Sequence, residues 1–187
     1  MPFDVGSPQF GLNDGKISAW QPGSTYNPPA GTDIMSIQMG SVSMEVITAT
    51  LTGDDKQTAV SSNAIGGTLQ LRWGGLNLSM LAILLGKAAA VSSSQSNVQI
   101  TGGQKMPYVG IILKALSAET GDTWIFIPKC KVASAFTLVQ MEYGSFAIPE
   151  VTMQIVDDDK WGSINVLTHP VDTPITTFPP TLIPALP

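Results

Sequence analysis

Few residues in this 187-residue chain are of the types that do chemistry, and their spacing gives them little to work with. His169 is the only histidine, and it precedes Pro170. A general base must be held beside the group it serves, and the start of a proline-rich stretch is a poor place to hold one. One imidazole also gives a metal ion at most one nitrogen ligand. Asp157, Asp158 and Asp159 supply clustered oxygens of the kind hard cations take. Consecutive residues of a strand point alternately, however, and no glycine-punctuated ligand loop accompanies them, so a solvated turn is expected. Cys130 is the one cysteine, lies in an apolar run, and reads as a small buried hydrophobe. Gly102-Gly103-Gln104-Lys105 has the composition of a phosphate loop without its spacing or a following helix. Gly74-Gly75 precedes a helical stretch, but a pair of glycines has no specificity. No catalytic, cofactor-binding or metal residue is assigned, no cofactor is expected, and the chain is expected not to be an enzyme.

The bulk composition points elsewhere. Apolar residues make up 43% of the chain and charged residues only 12%, about half the charged share of an ordinary soluble protein. A chain with so little charge has much surface to hide, in a core or against neighbours, and self-association is the expected outcome. Nine basic against 14 acidic residues give a net charge of −5, which argues against a groove that tracks phosphates. The cations are scattered, with only Lys129 and Lys131 close together. Met1 to Phe10 lacks the basic and apolar regions of a secretory signal. The longest apolar run, Met80 to Leu85, is too short to cross a bilayer, so no membrane insertion is expected and the product should stay in the cytoplasm.

Proline divides the chain. Eleven of the 14 prolines fall in residues 1–32 or 170–187, leaving Pro107, Pro128 and Pro149 between. Proline fixes φ and cannot donate to a ladder, so 1–32 and 170–187 read as extended arms. The second contains apolar Ile175, Phe178, Leu182, Ile183 and Leu186, and is expected to lie against a neighbouring subunit.

The middle, 33–169, reads as one mainly β domain: an antiparallel β-sandwich or barrel with one flanking α-helix. Apolar residues alternate from Met35 to Leu51, with the phase slipping near Gly40 and again at Val46–Ile47, each a sign of a bulge. Gly53 to Gly67 has no strand pattern and is read as a long loop; Thr68–Trp73 alternates again. A helix is predicted at 78–86, capped by Asn77, with Leu78, Leu81, Ala82 and Leu85 on one face and Gly86 at its end. Further strands are predicted at Tyr108–Leu116, Thr123–Lys131, Ala135–Tyr143 and Ala147–Val156.

Several local stretches occur in a familiar order: Thr-Gly-Asp-Asp-Lys at 52–56, Trp73-Gly74-Gly75-Leu76 before the helix, then Pro107-Tyr108-Val109-Gly110-Ile111-Ile112 and Ile125-Phe126-Ile127-Pro128. Over roughly residues 30–168 this resembles the tail tube (major tail) subunits of long-tailed bacteriophages. The resemblance implies a β-sandwich with one helix, hexameric rings of identical copies, and rings stacked into a hollow tube. It also implies assembly in the host cytoplasm into the tail of a virion, contacts with other tail proteins, and a lumen holding the tape-measure protein and then genome DNA without sequence-specific binding. Asp54, Asp55 and Lys56 would belong to a loop touching the adjacent ring.

On that reading the cleanest polar and apolar alternation marks the tube wall. Ser36, Gln38, Ser43, Glu45, Glu150, Thr152 and Gln154 are expected to face the lumen, with Ile37, Met39, Val42, Met44, Val151, Met153 and Ile155 packed behind them. Those segments hold two acids and no Lys or Arg, which suits a passage for DNA. Other readings are a head decoration or tail terminator protein, and a carbohydrate-binding β-sandwich displaying Trp20, Trp124 and Trp161.

Overall fold

A computed structural model describes residues 10–53, 56–75, 77–87, 90–91, 96–103, 105–116, 121–134, 137, 148–170 and 174–180. Its strands are β1 (Phe10–Gln21), β2 (Thr25–Asp33), β3 (Ile37–Gly53), β4 (Lys56–Trp73), β5 (Ala90–Val91), β6 (Ser96–Asn97), β7 (Val109–Leu116), β8 (Asp122–Val132), β9 (Glu150–Ile155) and β10 (Asn165–His169), with α1 (Leu78–Leu85) between β4 and β5. The main sheet runs β2-β1-β7-β8-β9-β4-β3, with β10 added against β8, and every pairing is antiparallel. It curls into a half-barrel, so the architecture is mainly β with one short helix. β5 and β6 form a separate two-stranded sheet. Of the predicted strand Ala135–Tyr143, only Thr137 lies within the described residues, where it bridges to Glu150.

The inner face of the curl holds the larger core. Ile17, Leu69, Leu71, Val109, Ile111, Leu113, Ile127, Cys130, Val151, Met153 and Ile155 meet there, with Met80 and Leu84 of α1 and Trp73. β9 alternates strictly, Val151, Met153 and Ile155 buried and Glu150, Thr152 and Gln154 half-buried, as a strand between core and solvent must. Asn77 caps α1, its Oδ1 accepting from the amides of Ser79 (3.0 Å) and Met80 (3.2 Å), and Gly86 closes it in the left-handed conformation. Met80, Leu81, Ala82, Leu84 and Leu85 are all buried, so the helix is packed on most of its circumference.

A second core lies on the outer face, over β1, β2, β7, β8 and β10. Tyr26, Ile112, Trp124, Phe126, Ile175 and Phe178 are buried together, with Trp20, Trp161 and Leu167 against them. Phe178 meets Tyr26 edge-on at 4.7 Å and Phe126 at 5.7 Å, and its amide donates to the Pro29 carbonyl (3.0 Å). Gly110 permits this: a Cβ there would stand 2.6 Å from Tyr26, 2.9 Å from Phe178 and 2.9 Å from the Pro128 carbonyl.

These facts correct the expected arms. Residues 10–21 and 25–32 of the expected N-terminal arm lie in the paired strands β1 and β2, and prolines 28 and 29 are accommodated because β2 is an edge strand. Of the C-terminal arm, Ile175 and Phe178 pack on the chain's own domain. The expected loop Gly53–Gly67 is corrected as well. Its described residues are strand: Gly53 ends β3 and Lys56 to Gly67 form the first part of β4, paired with β3 from Gly53↔Lys56 to Met44↔Gly67. Only Gly67 to Arg72 of β4 reach β9, so beyond that point β3 and β4 run on as a two-stranded ribbon. The residues from Ser43 to Thr50 and from Ser61 to Ala64 are exposed one after another, on both faces.

Candidate functional site

The outer face of β9, β4 and β3 carries no second core. Register sets its membership, because directly opposed residues share a side of the sheet. Gln154 opposes Thr68, Thr152 opposes Gln70, and Glu150 opposes Arg72. Ser43 opposes Thr68, Ser41 opposes Gln70, and Glu45 opposes Gly66. Lys131 of β8 extends the first of these rows by opposing Gln154. The result is a continuous polar surface of Ser, Thr and Gln. The Ser43 and Thr68 hydroxyls lie 2.6 Å apart, and Arg72 Nε donates to Glu150 Oε2 at 2.8 Å. This ion pair is solvent-exposed and is worth at most about 1 kcal/mol.

Five of the seven sequence-predicted wall residues therefore share one face: Ser43, Glu45, Glu150, Thr152 and Gln154. Ser36 does not, since it lies in the turn before β3 with a left-handed backbone, φ 52°. Gln38 sits in the register shift between Ile37 and Met39, at a bulge. That bulge also turns Met39 out to oppose Arg72 and puts Gly40 against Leu12 and Leu113, correcting the expected inward Met39. Met44 is 56% exposed rather than packed. The expectation of acids without bases is corrected too, because Arg72 and Lys131 join this face from strands outside the two segments. The second predicted phase slip is present as the shift between Glu45 and Val46, where Gly66 (φ +139°) and Gly67 leave no room for a Cβ; at Gly67 it would collide with the Ser43 carbonyl. Asp54 and Asp55 lie outside the described residues, and Lys56 begins β4.

The residues with catalytic potential are held structurally. His169, at the end of β10, stacks on Trp124 (4.0 Å between centroids) and opposes Asp122 across the β8 register. Asp122 and Lys114 form a buried pair at 2.9 Å. Burial lowers the His169 pKa, Asp122 opposes that shift and Lys114 adds to it, leaving the imidazole below its ordinary value and neutral at pH 7. Cys130 is fully buried, burial pushes its thiol far up, and its Sγ–H points to the Val109 carbonyl (3.3 Å).

The aspartate run departs from the solvated turn expected of it. Asp157 and Asp159 are exposed, but Asp158 is only 1% exposed. Its Oδ2 accepts from Trp20 Nε1 (2.8 Å), and its Oδ1 from Ser24 Oγ (2.8 Å) and the amides of Lys160 (3.0 Å) and Trp161 (3.1 Å). Burial alone would raise its pKa; the bonds from Ser24, Trp20 and the two amides outweigh that and hold it below the ordinary carboxylate value. The carboxylate thus clasps the β1–β2 turn to the β9–β10 loop. Trp124 is buried, while Trp20 and Trp161 are half-buried with their indole N–H groups committed to Asp158 and to the Ser24 carbonyl. The three do not form the exposed aromatic platform that a carbohydrate site would need.

Among the described residues no cluster of three or more His, Cys, Asp or Glu is placed to hold a metal ion, and no helix is long and apolar enough to cross a membrane. No protein-family model matches the chain. No curated protein matches it either. Among solved structures the chain is similar to the cryo-EM structure of the anti-feeding prophage cap, a tube terminating cap, with a TM-score of 0.48 and 10% identity over 89% of this chain and 97% of that one.

Proposed function

We propose that this chain is a non-enzymatic structural subunit of a phage tail that associates with copies of itself, as rings that stack into a tube. The observation that carries the reading is the β3–β4 ribbon. An isolated two-stranded ribbon is marginal in water, and a long bare edge is a template for another chain. Here the ribbon also displays Met44, Val46 and Ile47, each more than half exposed, and only Glu45 is charged in all of β3. Such a segment is stable and soluble when a neighbour covers it. The low charge of the whole chain and its sequence resemblance to tail tube subunits support the same conclusion.

Within this reading, the polar outer face of β9, β4 and β3 lines the lumen. Glu45 and Glu150 balance Arg72 and Lys131 there, and a nearly neutral surface of hydroxyls and amides gives DNA and the tape-measure protein little to adhere to. Negative-stain electron microscopy of the purified protein tests the proposal. Stacked rings or tubes are expected. Single rings that never stack would move the chain to the end of a tube, as a terminator. Monodisperse monomers at every concentration would refute self-assembly.

A further inference from the structure

Two lysines on β8 are placed unusually for a chain with so few cations. Lys129 Nζ stands 4.3 Å from the centre of the Trp20 ring and 5.0 Å from that of Tyr108, and Lys131 Nζ stands 5.1 Å from Tyr108. Trp20 and Tyr108 meet edge-on at 5.8 Å, so the four residues form one patch of two ammonium groups on two aromatic rings. Neither lysine forms a salt bridge among the described residues, whereas Lys16, Arg72 and Lys114 all do. Asp158, the buried acid bonded to Trp20, has its oxygens occupied by four donors. The aromatic faces are occupied by the ammonium groups, so stacking with a base or sugar is disfavoured, and a carboxylate on an apolar support is the matching partner.

The chain carries that counterpart on the edge strand β3. Glu45 is exposed, forms no salt bridge among the described residues, and is followed by Val46 and Ile47 and preceded by Met44, all more than half exposed. It cannot be serving its own patch, since Lys131 on β8 and Glu45 on β3 have β9 and β4 between them on the same face, three strand spacings of about 4.8 Å each, too far for the two side chains to meet within one copy. Two different surfaces of one chain that complement each other make a head-to-tail contact, which repeats from copy to copy and closes as a ring when the rotation allows.

We infer that the root of the β3–β4 ribbon of one copy docks on the Trp20–Tyr108–Lys129–Lys131 patch of the next. Glu45 meets the two ammonium groups, and Met44, Val46 and Ile47 cover the aromatic edges. This rests on the self-assembly reading and deepens it by naming both halves of the contact. Lys131 and Glu45 both belong to the polar outer face, so the contact forms a seam in the proposed wall.

The test is a charge swap on the full chain, read by sedimentation velocity and negative stain, with thermal melts to confirm folding. Lys129→Glu with Lys131→Glu, and separately Glu45→Lys, should each raise the concentration needed for assembly at least tenfold. The triple variant that carries all three substitutions should recover it. If the Lys129 change disturbs the Trp20 side of the patch and lowers the melting temperature, Lys131→Glu alone, whose ammonium lies over the Tyr108 ring, should still weaken assembly several-fold. Wild-type protein that assembles while the reversed variants assemble equally well overturns the docking and leaves self-assembly standing. A folded triple variant that stays dissociated also overturns it. Wild-type protein that never assembles removes both.

Discussion

Asp158 gives the sharpest test of the fold. Its carboxylate receives four hydrogen bonds, two from groups more than 130 residues away in sequence. Replacing it with alanine orphans the Trp20 indole N–H, the Ser24 hydroxyl and the amides of Lys160 and Trp161. A hydrogen bond to a charged acceptor contributes about 1.5–3 kcal/mol, so four simple losses would reach roughly 6–12 kcal/mol. That is a ceiling, because Trp20 and Trp161 are half-buried and water can replace part of what is removed. A net cost of about 3–4 kcal/mol is expected for Asp158→Ala. Asn costs less: with its oxygen toward Ser24 and the two amides and its NH2 toward Trp20, one bond and the charge are lost, roughly 1.5–3 kcal/mol. With an m-value of about 2 kcal/mol per M, the urea midpoint of the alanine variant should fall by about 1.5–2 M, followed by tryptophan fluorescence.

The pH dependence follows from the direction of the shift. The folded pKa lies below the unfolded one, so the stabilisation is fully present above the ordinary aspartate value and is lost as pH falls through the depressed one. The gap between wild type and Asp158→Asn should therefore be widest at neutral pH and narrow in acid. An alanine variant within about 0.5 kcal/mol of wild type at pH 7 would refute the clasp.

Other outcomes follow from the same packing. Gly110→Ala should cost about 1–3 kcal/mol by thermal melt, because the new methyl cannot avoid Tyr26, Phe178 and the Pro128 carbonyl at once; a neutral result would place Phe178 elsewhere. Phe178→Ala should cost about 3–5 kcal/mol in urea, and deleting 171–187 should cost at least as much, since it removes both Ile175 and Phe178 from the core; an unaffected truncation would restore the arm interpretation. Leu81→Asp buries an unpaired charge and should prevent cooperative unfolding altogether; a soluble, cooperative variant would show that face to be exposed.

The buried strands were legible because a core on one side writes its period into the sequence. β9 reads Glu-Val-Thr-Met-Gln-Ile and is buried at every second residue. β7 and β8 announce themselves by apolar content, and α1 by the cap at Asn77 and the stop at Gly86. The first half of β4 was not legible for the converse reason. From Gln57 to Asn63 it is Gln, Thr, Ala, Val, Ser, Ser and Asn, with no alternation in the sequence, and Ser61 to Asn63 and their partners Ile47 to Ala49 are exposed on both faces, where no core imposes one. β1 and β2 were hidden by their glycines and prolines, which read as breakers until β2 is known to be the edge, where a missing donor costs nothing to the ladder.

The candidate surface divides along the same line. Ser43, Glu45, Glu150, Thr152 and Gln154 could be grouped from two local alternations, because opposite residues across each strand have opposite environments. Arg72 and Lys131 could not, since nothing local says which neighbour a strand will have, and the neighbour decides the charge of the face. Asp158 shows the extreme case. Asp157-Asp158-Asp159 looks like a hydrated turn in sequence because the groups that make its centre an internal anchor, Trp20 and Ser24, arrive from the other end of the chain. Local pattern therefore locates faces, while charge balance and buried polar anchors depend on topology. The ribbon root and the lysine–aromatic patch follow the same rule, since only strand order shows that β9 and β4 separate Lys131 from Glu45 on one face.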